Sequence, residues 1–235
     1  MSNFDNENTR NNNKNEYNDF FLSDEIKAIS LFNIAKQLKK TKSYDESLIY
    51  FNEALSLKPD DIDIWIQKAF TLIEKGDVEE GFKCFDDALV CLPQHGLLIW
   101  LTKGNAYMTL NDYDAAILCY NNALKYNPKS AIILTNKAHA LYELDRYDKA
   151  LVELNKSINY HPKYIPAYIL KGKILLKLEK NDNAIKCFEK IIEINPEFAE
   201  AWYLKGIALG NIGKKNEGIK CIKKSIELKK RKKTN

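Results

Sequence analysis

Histidine is scarce in this chain, with three among 235 residues, and no long apolar run interrupts its mixture of charged and apolar residues. Each shortage excludes something. No stretch approaches the roughly 20 apolar residues that span a bilayer, so no membrane span is expected. Met1 to Asp5 lacks the basic-then-apolar order of a secretory signal, which leads to a cytoplasmic expectation. His95 and His161 stand beside turn prolines, and no serine, cysteine or acid is spaced to make a nucleophile pair with His139. Gly210, Gly213 and Lys214 lack the Gly-x-x-x-x-Gly-Lys-Ser/Thr spacing of a phosphate loop. No enzyme activity, cofactor or metal is expected.

Proline is also sparse, yet its placement is regular. Five of the six prolines (Pro59, Pro93, Pro128, Pro162 and Pro196) recur every 34 or 35 residues. A period near 34 marks a helical repeat array. Six repeats follow, at 28–61, 62–95, 97–130, 131–164, 165–198 and 199–232, with Gly96 as a one-residue insertion. Place eight is always small (Ala35, Ala69, Gly104, Ala138, Gly172, Gly206), as is place twenty (Ser47, Gly81, Ala116, Ala150, Ala184, Gly218). Place twenty-four is always large (Phe51, Phe85, Tyr120, Leu154, Phe188, Ile222). Small residues let two helices approach closely, and large ones fill the gaps around them. Apolar residues within 131–160 keep the three-and-four spacing of amphipathic helices, with Asp145-Arg146-Tyr147 as a polar turn. No strand is expected. Gly81 and Gly218 fall inside helices, where glycine costs about 1 kcal/mol relative to alanine, so repeats two and six read as the softer ones.

Five cysteines raise the question of disulfides or zinc, and the register answers it. Cys84, Cys119, Cys187 and Cys221 all occupy place twenty-three. Equivalent places in successive repeats are a helix-packing distance or more apart, beyond the roughly 7 Å between Cα atoms that a disulfide allows. There is no Cys-x-x-Cys pair. These cysteines read as small buried hydrophobes in a reducing compartment.

The pattern resembles the tetratricopeptide repeat (TPR), most clearly in repeat three, where Trp100, Gly104, Tyr107, Ala116, Tyr120, Ala123 and Pro128 stand at the family's positions. Lys230 replaces the proline of the last repeat, and Ile191 replaces a small residue in the fifth. The resemblance implies an all-α, right-handed α-solenoid of six TPR helix-turn-helix repeats, about twelve helices, with a concave inner surface. It implies a non-catalytic scaffold that binds protein or peptide through that surface.

In such repeats the inner face comes mainly from places two, five, nine and twelve of each first helix. Here those places supply a candidate groove of Ile66, Phe70, Ile73, Leu98, Leu101, Asn105, Met108, Ile132, Thr135, His139, Tyr142, Ile169, Lys173, Leu176 and Tyr203. Most are apolar, although the structural register does not require it. Contiguous exposed apolar surface marks binding sites, so an apolar peptide or amphipathic helix is the expected ligand. Asn105, His139 and Lys173 would add a polar stripe. The family's two-carboxylate clamp for acidic chaperone tails needs basic residues where this chain has Leu101, Pro166 and Leu170, although Asn105 and Asn136 are in place. Without those cations the anion loses its charge-assisted bonds, and the clamp is not expected.

The ends differ from the middle. The first 19 residues hold eight asparagines and few core-forming residues, so 1–22 reads as a disordered, Asn-rich tail before a solenoid at 23–229. Phe20-Phe21-Leu22 closes that tail and either staples the first helix or folds back into the groove. From Lys220 to Asn235 there are eight Lys or Arg and one Glu, and 230–235 reads as a basic C-terminal tail. The alternative function is therefore a nucleic-acid- or acidic-partner-associated factor using that tail.

Overall fold

The computed structural model describes residues 24–234, with side chains described as far as Arg231. The expectations for 1–22, including Phe20-Phe21-Leu22, lie outside the described residues. Among the described residues there are twelve α-helices, beginning with α1 (24–40), α2 (Tyr44–Leu57), α3 (Ile62–Lys75), α4 (Val78–Cys91), α5 (Gly96–Thr109) and α6 (Tyr113–Tyr126). They continue with α7 (Ala131–Glu143), α8 (Tyr147–Tyr160), α9 (Ile165–Lys177), α10 (Asn181–Ile194), α11 (Ala199–Asn211) and α12 (Lys215–Thr234). Among the described residues there is no strand. The expected two helices per repeat are present. Residues 230–234, read from sequence as tail, continue α12 as helix.

The chain divides into two compact units, 1–103 and 104–235, with the division inside α5. Each is built by the same local rules. The turn inside every repeat needs one residue in the left-handed region, always at place fifteen: Lys42, Gly76, Asn111, Asp145, Glu179 and Gly213, with φ between 55° and 109°. Only two of the six are glycine, so four side chains bear a conformation that costs L-residues about 1 kcal/mol. Some helix starts are also capped. The Asp61 carboxylate accepts from the Asp63 and Ile64 amides, Asp112 from Ala115, and the Ser130 hydroxyl from Ile133.

Paired helices meet at the small places. A Cβ on Gly81 would lie 2.9 Å from the Ala69 carbonyl oxygen, and one on Gly218 would lie 2.7 Å from that of Gly206. The propensity loss at these glycines therefore comes with a close contact, because they bring two backbones together where alanine would force them apart. In repeat one the same approach is bonded instead, with the Ser47 hydroxyl donating to the Ala35 carbonyl at 2.8 Å. Place twenty-four fills the space beside each contact. Phe51, Phe85, Tyr120, Leu154 and Phe188 are essentially inaccessible, each burial contributing on the order of 2–3 kcal/mol.

Successive repeats are joined by the periodic prolines and the aromatic at place four. Trp65 Nε1 donates to the Pro59 carbonyl at 2.9 Å in the first unit. In the second, the Tyr168 hydroxyl donates to the Pro162 carbonyl at 3.1 Å, and Trp202 Nε1 to that of Pro196 at 2.8 Å. Cys84, Cys119, Cys187 and Cys221 are buried, as expected; Cys91, read with them as a buried hydrophobe, is instead exposed at the end of α4. Burial pushes the Cys84 thiol up to about 11 and raises those of Cys187 and Cys221.

Candidate functional site

The first helix of each repeat positions the candidate residues, because the second helix and the neighbouring repeat claim its other faces. In the first unit, Ile66, Phe70 and Ile73 lie along α3, all half-buried. Phe70 meets the core residue Phe85 edge-on, with ring centroids 5.9 Å apart, and the Lys39 ammonium sits 5.6 Å from the Phe70 centroid. Lys39 is itself held by Glu74 at 3.0 Å. On α5, Leu98 is exposed and Leu101 half-buried.

The second unit contains a recess of about 470 Å³ between the inner faces of α7 and α9. Thr135, His139, Tyr142, Ile169 and Lys173, all candidates from sequence, line it together with Asn136, Pro166 and Leu170. Thr135 differs from its expected role. It is only 6 % exposed, and its hydroxyl shares a 3.0 Å hydrogen bond with that of Ser157, which itself donates to the Ala131 carbonyl. A short polar side chain on this face finds a buried partner on α8, so Thr135 packs helices together and offers little to a ligand.

The expected polar stripe of Asn105, His139 and Lys173 is largely engaged within the fold. Asn105 Oδ1 accepts from the Tyr120 hydroxyl at 2.8 Å and from Asn136 Nδ2 at 3.1 Å. Lys173 pairs with Glu200 at 2.8 Å, and His139 Nε2 lies 3.2 Å from Glu143. The His139 and Tyr142 rings stack at 6.4 Å. Lys177 extends over Tyr142 and Tyr147, at 5.4 and 5.1 Å, and reaches Asp145 at 3.3 Å. The Tyr147 hydroxyl bonds to Asp145, and that contact, with Lys177 beside it, holds the Asp145 carboxyl below its ordinary range. The chemistry left facing the recess is apolar, with Lys173 paired to Glu200 and His139 against Glu143 at its rim.

Met108 and Leu176 are half-buried, while Ile132 and Tyr203 are exposed. Asn136 and Leu170 share place six, which was not among the inner-face places read from sequence. Their signal was present, since both stood in the clamp comparison. Among the described residues no group of three or more His, Cys, Asp or Glu could hold a metal ion, and no helix is long and apolar enough to cross a membrane.

Comparison with known proteins agrees with this geometry. Tetratricopeptide-repeat profiles match residues 28–61, 131–164, 165–198 and 187–220, and a TPR-repeat profile matches 104–145, together more than half of the chain. The TPR repeat-containing protein MJ0940 of Methanocaldococcus jannaschii is 31% identical over 86 residues, 37% of this chain. The match spans 26%, about a quarter, of that relative's length. Among solved structures, MamA superimposes with a TM-score of 0.63 at 24% identity, over 71% of this chain and 97% of MamA. YrrB, described as a TPR protein with an unusual peptide-binding site, gives 0.57 at 20% identity, over 76% of this chain and 91% of YrrB. TTC0263, a thermophilic TPR protein of Thermus thermophilus, gives 0.55 at 19% identity, over 77% of this chain and 98% of TTC0263. The small-residue contacts, the proline-linked repeats and these matches lead to one conclusion: the chain belongs to the tetratricopeptide-repeat family.

Proposed function

We propose that the chain is a non-catalytic, cytoplasmic scaffold that holds an apolar segment of a protein partner, a peptide or the face of an amphipathic helix, on its inner surface. One observation carries this reading: the α7–α9 recess has an apolar lining of Tyr142, Pro166, Ile169 and Leu170, while Lys173 at its edge is already paired with Glu200 and His139 lies against Glu143. An anionic tail would have to displace those carboxylates. A leucine or aromatic side chain would enter without breaking a pair and would gain about 25 cal/mol for each Å² of apolar surface covered. The similarity to YrrB supports a peptide as the ligand.

The experiment is a paired affinity purification, with circular dichroism confirming that both baits fold. One bait is the intact chain; the other carries Ile169→Glu and Tyr142→Ala. A partner kept by the first and lost by the second is the expected result. Partners retained equally by both would remove the recess from the function. A separate Phe70→Glu bait asks the same of the first unit.

A further inference from the structure

A lysine recurs at the junctions between repeats, although Lys137 pairs within its own repeat, with Glu153 at 3.0 Å. Place seven of repeats two to six is always lysine: Lys68, Lys103, Lys137, Lys171 and Lys205. Three of these reach place twenty-five of the preceding repeat, where an acid or amide stands: Lys103 to Asp86 at 2.5 Å, Lys171 to Asn155 at 2.7 Å and Lys205 to Glu189 at 2.8 Å. Beside the second and third of these contacts runs an apolar seam. On α8, Ile158 packs against the cluster holding Ala167 and Ile174 of α9; on α10, Ile185 and Ile192 pack against the cluster that includes Ala201 and Leu204 of α11.

On α12 the seam is present and its polar partner is reversed. Ile219 and Ile226 occupy the same places as Ile185 and Ile192, yet they are 51% and 49% exposed. Place twenty-five is Lys223, also exposed, where earlier repeats have Asn, Asp or Glu. A helix that continued the array with lysine at place seven would set cation against cation. We propose that this face of α12 docks an amphipathic helix of another protein, one whose apolar seam is flanked by carboxylates.

The same residues disfavour other occupants. A second copy offers Ile34 at place seven of α1, which gives Lys223 nothing to pair with, and packing α12 on α12 opposes Lys223 to itself. Two half-exposed isoleucines without an aromatic on α12 are a poor membrane anchor. A phosphate backbone would gain nothing from covering Ile219 and Ile226, and α12 has no ring on which bases could stack. A helix with a seam spaced three and four residues apart fits both the isoleucines and the charge.

The test uses the full chain and a fluorescent helical peptide with a leucine seam flanked by glutamates, followed by anisotropy. Saturable binding is expected, about fivefold weaker for Lys223→Glu and lost for Ile219→Ser with Ile226→Ser. A peptide with lysine flanks should prefer the Lys223→Glu protein. Equal binding of both peptides by the parent chain, or an affinity unmoved by Lys223→Glu, would overturn the proposal. So would loss of binding on Ile169→Glu, which would place the peptide in the inner recess and leave the functional reading above intact. Self-association abolished by Ile219→Ser with Ile226→Ser would assign the face to a second copy. Lys223-dependent flotation with phosphatidylserine vesicles, without peptide binding, would assign it to a membrane.

Discussion

The inner faces of the two units share a register and differ in chemistry. In the first, Phe70 stands edge-on against Phe85 and a lysine of the preceding repeat covers its ring. In the second, the equivalent place nine is His139 and then Lys173, each matched by a glutamate around an apolar recess. Behind both, places eight, twenty and twenty-four hold the same small-against-large contact. The packing contact thus stays fixed while the chemistry of the inner face varies from one unit to the other.

The sharpest way to break this separation is to disturb the shared contact. A Cβ on Gly172 would meet the Phe188 ring at 2.4 Å, so Gly172→Val should destabilise the second unit by about 3 kcal/mol. Urea denaturation followed by tryptophan fluorescence (Trp65 and Trp100 in the first unit, Trp202 in the second) would show whether the loss is confined to one unit. Removing the hydroxyl that links core to inner face is milder. Tyr120→Phe leaves Asn105 one donor short and should cost about 1 kcal/mol, again read from the denaturation midpoint.

Place fifteen offers a gain of similar size in either unit. Lys42→Gly and Glu179→Gly relieve left-handed side chains and should each stabilise by about 0.5–1 kcal/mol. An unequal response would mean that the turns are not equivalent. The rim pairs should matter least for folding. Lys173→Gln is expected to change stability by under about 0.5 kcal/mol, since both partners are well exposed. A larger change would make that pair part of the scaffold.

Alkaline pH probes the shared core from another side. The Cys84 thiol rises to about 11 in the folded chain, from about 8.5 when unfolded, so its stabilising effect is complete below about 8.5 and is lost as pH rises through 11. Denaturation at pH 8 and pH 10 should show the loss, and Cys84→Ala should reduce it. Cys91, exposed, should react with a thiol reagent well before the four buried cysteines.

Most of the scaffold could be read from one line of residues, because the contacts that define a repeat lie within 34 positions and repeat six times. Place fifteen could be read only in part: Gly76, Gly213, Asn111 and Asp145 are residue types that enter the left-handed region readily, whereas Lys42 and Glu179 give no sign of it. The inner face was legible in its places but not in its pairings. Thr135 turns to Ser157, and Lys173 meets Glu200 one repeat later, and neither follows from the period of a single helix. The charge reversal at Lys223 stands out only once the Lys103–Asp86 and Lys205–Glu189 contacts give place twenty-five a role.

The pairing of each helix with its sequence neighbours also governs how the chain reaches its fold. Extensive contacts run between adjacent helices, or next-but-one for α7 and α9. No distant strands must find each other, so little loop-closure entropy opposes the first productive contacts and folding should be fast. Such a chain can begin from any helix pair and grow outwards. Unfolding then frays from the ends, and amide hydrogens of α1 and α12 should exchange before those of α7 and α8.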